Sequence, residues 1–188
     1  MKPQSSRSAT KQRGEEQPQA SLRLTEFLPY RLNVAAAVAS EGLARIYGAR
    51  FGVSVPEWRV IATIGEFDSI TAKAIGAHAH MGKVKVSRAA AALEARSLLA
   101  RKSNMEDKRE AFLVLTPRGR AIYQEIAPLA LDYVAQLQNG FSAQELDTLN
   151  ALLDRLLLRA REMTGAQPPL PHCRPEVLHI GAPLDEGS

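Results

Sequence analysis

The sequence holds a single cysteine, Cys173, in 188 residues. One thiol excludes an internal disulfide framework and fits a reducing compartment. No apolar run approaches the length of a membrane span, and the first residues lack the apolar segment of a signal peptide. A cytoplasmic location and no membrane partner are therefore expected. The arrangements that carry catalysis are missing too: there is no glycine-rich phosphate loop, no HExxH, no nucleophile elbow and no pair of carboxylates in an apolar setting. Ser87 sits beside Arg88, but no base stands at a defined spacing to activate it. The chain does not read as an enzyme, and no cofactor is expected. Metal binding is poorly served as well. His172, Cys173 and His179 form no closed set at zinc-like spacing, and His78 and His80 lie two residues apart near a helix end, where two ligands do not share a face.

What is present is 45% apolar content, enough for one good-sized core but not for two independent ones. A single domain over residues 23–165 is expected, with tails on either side. Residues 1–22 are rich in Gln, Ser, Lys and Arg and poor in apolar side chains, the composition of a disordered, mildly basic tail. Residues 166–188 contain Pro168, Pro169, Pro171 and Pro175, which rule out a long regular helix.

The most telling stretch is residues 97–120, SLLARKSNMEDKREAFLVLTPRGR. It reads as a β-hairpin with strands over residues 98–102 and 111–115, the second carrying the aromatic and β-branched signal of Phe112 and Val114. The loop between them is too long for a two-residue turn and too polar to bury. Thr116 then caps a helix whose first residue is Pro117. Upstream, residues 70–96 read as two short helices. Thr71 caps the first, over residues 72–78, the Met81-Gly82 region breaks the chain, and the second runs from Lys83 to about Arg96. In that second helix Val86, Ala90 and Leu93 share a face that points to a core. The opposite face carries Val84, Arg88, Ala91 and Ala95, flanked by Lys83, Lys85 and Ser87. Small side chains there permit close approach to another surface. Basic and hydroxyl groups at the N-terminal end suit base edges, with Arg pairing guanine and Val methyls touching thymine. A solvated face of an alanine-rich helix is the alternative.

Helix, turn, helix and charged hairpin in that order make a winged helix-turn-helix, and the residues VKVSRAAAALEARSLLARK and MEDKREAFLVLTPRGR resemble the MarR family of transcriptional regulators. The family's wing pattern falls on Asp107, Arg109, Leu113, Leu115, Thr116 and Gly119. The resemblance implies that Arg109 enters the minor groove, that Lys108 touches backbone and that Asp107 shapes the wing through an ion pair. One departure is Ser97, where relatives usually have Gly to take up a left-handed conformation. The implied fold is mainly α with a small β-hairpin wing, the winged helix-turn-helix over residues 55–120 and dimerisation helices over 23–54 and 121–165.

Charge placement agrees independently of the family. Residues 71–120 hold eleven Lys plus Arg against four Asp plus Glu, a balance of +7, whereas the whole chain carries +4. Residues 121–165 hold three basic against six acidic side chains, a balance of −3. Positive charge is thus concentrated where phosphates would be met, which makes double-stranded DNA the expected partner.

The remaining helices look built for pairing. Residues 28–50 place Leu32, Ala35, Ala39, Leu43 and Ile46 on one stripe, with Ala36, Ala37, Ser40 and Gly42 allowing close helix contact. Residues 55–67 form a second helix with Pro56 near its start. Residues 117–138 form another, bent near Pro128 and stopped by Asn139-Gly140. Ser142 and Glu145 make a capping box for the last helix, whose stripe of Leu149, Leu153, Leu156, Ala160 and Met163 is widened by Leu152 and Leu157. About 22 residues would make a rod of about 33 Å, longer than this domain's own core needs, so a second copy is its natural cover.

The resemblance implies a homodimer on a pseudopalindrome, and an effector in the crevice between dimerisation layer and winged helix that shifts the spacing of the two recognition helices. Tyr30, Arg31, Trp58 and Arg59 are the residues expected to face it. Arg beside aromatic rings suits a small aromatic acid, a phenolic compound or an aryl-CoA thioester. The structural alternatives are a core anchor for Trp58 and ion pairs of Arg31 and Arg59 with Glu26, Glu57 or Glu66. Two other functional readings stay open. One is a redox-responsive regulator using Cys173, although such relatives place the cysteine near the first helix. The other is a helical protein-interaction module with an incidental basic surface.

Overall fold

A computed structural model describes residues 21–103 and 110–165. The chain divides into two units, residues 1–39 and 40–188. In the first, an Arg23–Glu26 ion pair of 3.4 Å lies in a short turn before α1 (Leu28–Phe51) begins. In this unit Leu28, Tyr30, Leu32, Val34 and Val38 are exposed.

The second unit takes up the end of α1, then α2 (Val55–Phe67), β1 (Ile70–Thr71), α3 (Ala72–His78), α4 (Lys83–Ala95), β2 (Leu99–Ser103), β3 (Ala111–Leu115), α5 (Pro117–Leu137) and α6 (Ala143–Thr164). Side-chain caps set most of these starts. Ser54 and Glu57 form a capping box at α2, with Pro56 in the first turn, where a missing N–H costs nothing. Thr71 accepts the Ala74 N–H at α3, and Thr116 accepts the Gly119 N–H at 3.1 Å at α5. Ser142 and Glu145 repeat the capping box at α6, and these two N–H and O–H donors hold the Glu145 carboxyl below the usual carboxylate range. α5 is assigned as helix straight through Pro128.

The expected hairpin is present, and a third strand joins it: β3 is central, with β2 on one side and the two-residue β1 on the other, all antiparallel. β1 is too short to show an alternating pattern, and its Thr71 doubles as the cap of α3. The first wing strand also starts one residue later than expected, at Leu99. Ser97 adopts φ +57°, and the chain after α4 closes with Leu98 N–H donating to the Leu93 carbonyl and Ser97 N–H to the Glu94 carbonyl, 2.9 Å each. That is a Schellman close, with Ser97 in the left-handed position and Leu98 folded back over Leu93. Leu98 is therefore spent on ending the helix.

The core of this unit draws one or more side chains from nearly every element. Tyr47 comes from α1, Val60, Ile61 and Ile64 from α2, Ile75 from α3, and Val86, Ala90 and Leu93 from α4. Leu98, Leu99 and Leu113 enter from the hairpin and Ile126 from α5. α5 is seated against the hairpin by Gly119, since a Cβ there would strike the Leu98 carbonyl oxygen. By contrast α6, 22 residues long, has no buried residue at all. Among the described residues no helix is long and apolar enough to cross a membrane, and no three potential metal ligands gather. His172, Cys173 and His179, and the composition of both tails outside residues 21–165, lie outside the described residues.

Two substitutions test this seating. The left-handed backbone costs a non-glycine residue about 1–2 kcal/mol, of which glycine's unfolded-state freedom offsets up to about 1. Ser97→Gly is thus expected to raise the unfolding free energy by roughly 0.5–1 kcal/mol. Gly119→Ala is expected to lower it by about 1–3 kcal/mol, since backbone must move to admit the methyl. Urea titrations of the two variants measure both, and an unchanged midpoint for Gly119→Ala would contradict the contact.

Candidate nucleic-acid interface

The strip Val86, Ala89, Ala90 and Leu93 anchors α4 in the core, each no more than 5% exposed. Helical geometry then forces the other strip outward. Lys83, Val84, Lys85, Ser87, Arg88 and Ala91 are all exposed, with Val84 at 63% despite its apolar side chain. α3 is joined to α4 by a tight turn in which Met81 N–H donates to the Gly76 carbonyl and His80 takes φ +48°. Met81 is buried beneath that turn, which fixes the second helix relative to the first.

The N-terminal end of α4 is electrically positive for three reasons. Its free N–H groups give it the positive pole of the helix dipole, its first turn holds no acidic residue, and Lys83 and Lys85 stand there. Among the described residues Lys83, Lys85 and Arg88 make no ion pair, so their charge is presented outward rather than neutralised internally.

Two further cations join them. A cavity of about 480 Å³ opens between α3, α4 and the hairpin, and its wall includes Lys73, Lys83, Ser87 and Arg101 together with Glu110. Lys73 on α3 and Arg101 on β2 come to this face only through the fold, since they stand far from α4's first turn in sequence. Arg101 is held by two bonds to Glu94, at 2.7 and 3.1 Å, which sets the base of the wing against α4. A smaller cavity of about 280 Å³ lies where Lys85 and Arg88 meet Ser54 and Pro56 at the start of α2.

The wing is a regular ladder, with Leu99 opposite Leu115 and Ser103 opposite Ala111. Its tip residues Asp107, Lys108 and Arg109 lie outside the described residues.

The residues expected at an effector crevice fall in both units. Tyr30 and Arg31 are exposed in the first. In the second, Trp58 is half-buried between Tyr47 and Tyr123, with ring centroids 5.6 and 6.2 Å away, and packs on the core. Tyr123 in turn lies against Gly65, where a side chain would meet its ring. Burial pushes the Tyr47 hydroxyl above its ordinary value of 10.0, an effect that the nearby Arg59 charge partly opposes. Arg59 itself is exposed, and among the described residues neither it nor Arg31 forms an ion pair. Of the carboxylates expected to engage them, Glu26 and Glu57 are paired instead with Arg23 and Arg96, and Glu66 forms no ion pair among the described residues.

A short helix-turn-helix, an outward cationic α4 and a three-stranded sheet whose β2–β3 hairpin forms the wing define a winged helix-turn-helix fold. A family model described as MarR family matches residues 51–110, from the last residue of α1 to the wing. No curated protein matches the chain in sequence. Among solved structures, a MarR-family transcriptional regulator from Silicibacter pomeroyi is 26% identical, with a TM-score of 0.63 over 73% of this chain and 92% of that one. A MarR-family regulator from Streptomyces coelicolor, solved in complex with DNA, is 21% identical, with a TM-score of 0.67 over 82% and 98%. BpsR of Bordetella bronchiseptica, whose DNA binding is regulated by 6-hydroxynicotinic acid, is 19% identical, with a TM-score of 0.56 over 67% and 98%.

Proposed function

We propose that this protein is a ligand-responsive repressor that grips a pseudopalindromic operator as a homodimer, placing α4 of each copy in successive major grooves. The observation that carries the reading is the outward face of α4, where Lys83, Lys85 and Arg88 are exposed and have no ion-pair partner among the described residues. Cations left unneutralised on a helix narrow enough to enter a groove are suited to phosphates and guanine edges. On this reading Lys83, Lys85, Ser87 and Arg88 contact DNA with Val84 against thymine methyls, and Lys108 and Arg109 follow from the wing with Asp107 shaping it. Lys73, also without an ion pair among the described residues, adds to the phosphate contacts. The DNA-bound regulator from Streptomyces coelicolor, similar in fold, supports the assignment.

Pairing is supported by α6, where Leu149, Leu152, Leu153, Leu157 and Leu158 are all exposed over a helix with no buried residue. Apolar area of that extent on one helix calls for a partner. Repression rather than activation follows the resemblance. For the effector, Arg59 beside the Tyr47–Trp58–Tyr123 stack suits an aromatic carboxylate, phenol or aryl thioester. BpsR, regulated by an aromatic acid, supports this class.

Three outcomes follow. Light scattering at micromolar concentration is expected to give twice the 20.5 kDa chain mass, and a monomer would contradict the dimer. Arg88→Ala is expected to cost about 1–3 kcal/mol on a duplex selected from a random pool, with relaxed base preference, whereas Lys73→Ala should weaken selected and random duplexes alike. Anisotropy titrations measure both, and equal losses on the two duplexes for Arg88→Ala would remove its base-reading role. Aromatic carboxylates are expected to release the selected duplex from the wild type and not from Arg59→Ala; release unaffected by that change would move the effector elsewhere.

A further inference from the structure

The far end of the recognition helix carries a cation of a different kind. Arg96 is the C-terminal cap residue of α4, and its guanidinium turns away from the outward face. Its Nη2 donates to the Phe51 carbonyl at 2.7 Å and its Nη1 to the Gly52 carbonyl at 2.8 Å. The same Nη1 lies 3.6 Å from Oε1 of Glu57. Phe51 and Gly52 close α1, where Gly52 takes φ +60° and the final carbonyls have no N–H of their own helix to meet. Glu57 belongs to the first turn of α2. Its other oxygen, Oε2, accepts the Ser54 N–H and hydroxyl at 2.7 Å each. One carboxylate thus serves the cap of α2 with one oxygen and Arg96 with the other, while its side chain is only 11% exposed.

We propose that Arg96 is a positioning residue for duplex recognition: by bridging the end of α1 and the start of α2, it sets the angle at which α4 leaves the core and passes displacements of the α1 terminus to the base-reading face. The inference rests on the DNA-binding reading above. A planar guanidinium suits this post, because its N–H groups leave in fixed directions and can hold three acceptors at once. All three acceptors are favourable for a cation, two at the negative pole of a helix and one a mostly buried carboxylate whose charge would otherwise be unpaired. At the other end of α4 the cap residue Gly82 makes no side-chain bond, and that end is held by the Met81 turn and the buried strip of α4. Arg96 adds to these the one side-chain bridge from the end of α4 to α1 and α2 among the described residues.

The test uses the full chain with a duplex enriched by the wild type from a random pool, and an unrelated duplex of equal length. Arg96→Gln is expected to lower the preference for the selected duplex about tenfold or more at temperatures where it remains folded, since reading groups tolerate little misplacement. Arg96→Lys, which keeps the charge and loses the fork, is expected to retain random-duplex binding and still lose preference. Glu57→Gln separates positioning from charge: it makes the protein more positive, so a purely electrostatic role predicts tighter binding of both duplexes, whereas positioning predicts lost preference. A wild type that discriminates while Arg96→Lys and Glu57→Gln both keep its preference overturns the inference alone. A wild type that binds neither duplex removes the DNA-binding reading, and the inference with it.

Discussion

Val86, Ala89, Ala90 and Leu93 lie along one strip of α4, and the removal of that strip from water orients everything the protein presents outward. Burial of a side chain the size of Val or Leu is worth about 1.5–3 kcal/mol, so a helix rolled to expose Val86 and Leu93 loses several kcal/mol at once. α2 and α3 close over this strip from one side and the hairpin from the other. The alanines at 89 and 90 let those neighbours approach. Because the strip is fixed, the opposite strip has no freedom either, and Lys83, Lys85 and Arg88 are held outward by packing that they do not take part in. The wing is tied to the same helix through Arg101 and Glu94, and α5 is seated on the hairpin where Gly119 meets Leu98.

Much of this could be read from the chain because local chemistry decided it. Ser142 with Glu145, Thr71 and Thr116 with Pro117 each mark a helix start by a hydrogen bond made within three residues, and no tertiary context competes with such short bonds. The inward face of α4 was legible from spacing alone. What escaped was decided across the fold. β1 is two residues long and exists only because β3 offers an edge. The start of β2 moved because Ser97 accepts a left-handed backbone that its side chain does not advertise. Lys73 and Arg101 reach the cationic face through the α3–α4 turn and the hairpin, and no spacing rule links them. Glu57 and Arg96 are 39 positions apart, so their partnership, like the bonds from Arg96 to the end of α1, belongs to the tertiary structure.

The two kinds of helix in this chain differ in what they do with apolar surface. α2, α3 and α4 spend theirs on the core of the second unit. α6 spends none, keeping a leucine-rich face in solvent along its whole length. α6 is firmly capped, yet among the described residues nothing covers its leucine-rich face, which is why a second copy is proposed as its partner.

Guanine N7 lies in the major groove, beyond the reach of anything confined to the backbone or the minor groove. Methylation of a wild-type-selected duplex, with and without protein, therefore tests most directly whether the outward face of α4 reads bases. The account predicts two clusters of protected guanines about one helical turn apart. Uniform methylation along a duplex that is demonstrably bound would contradict it.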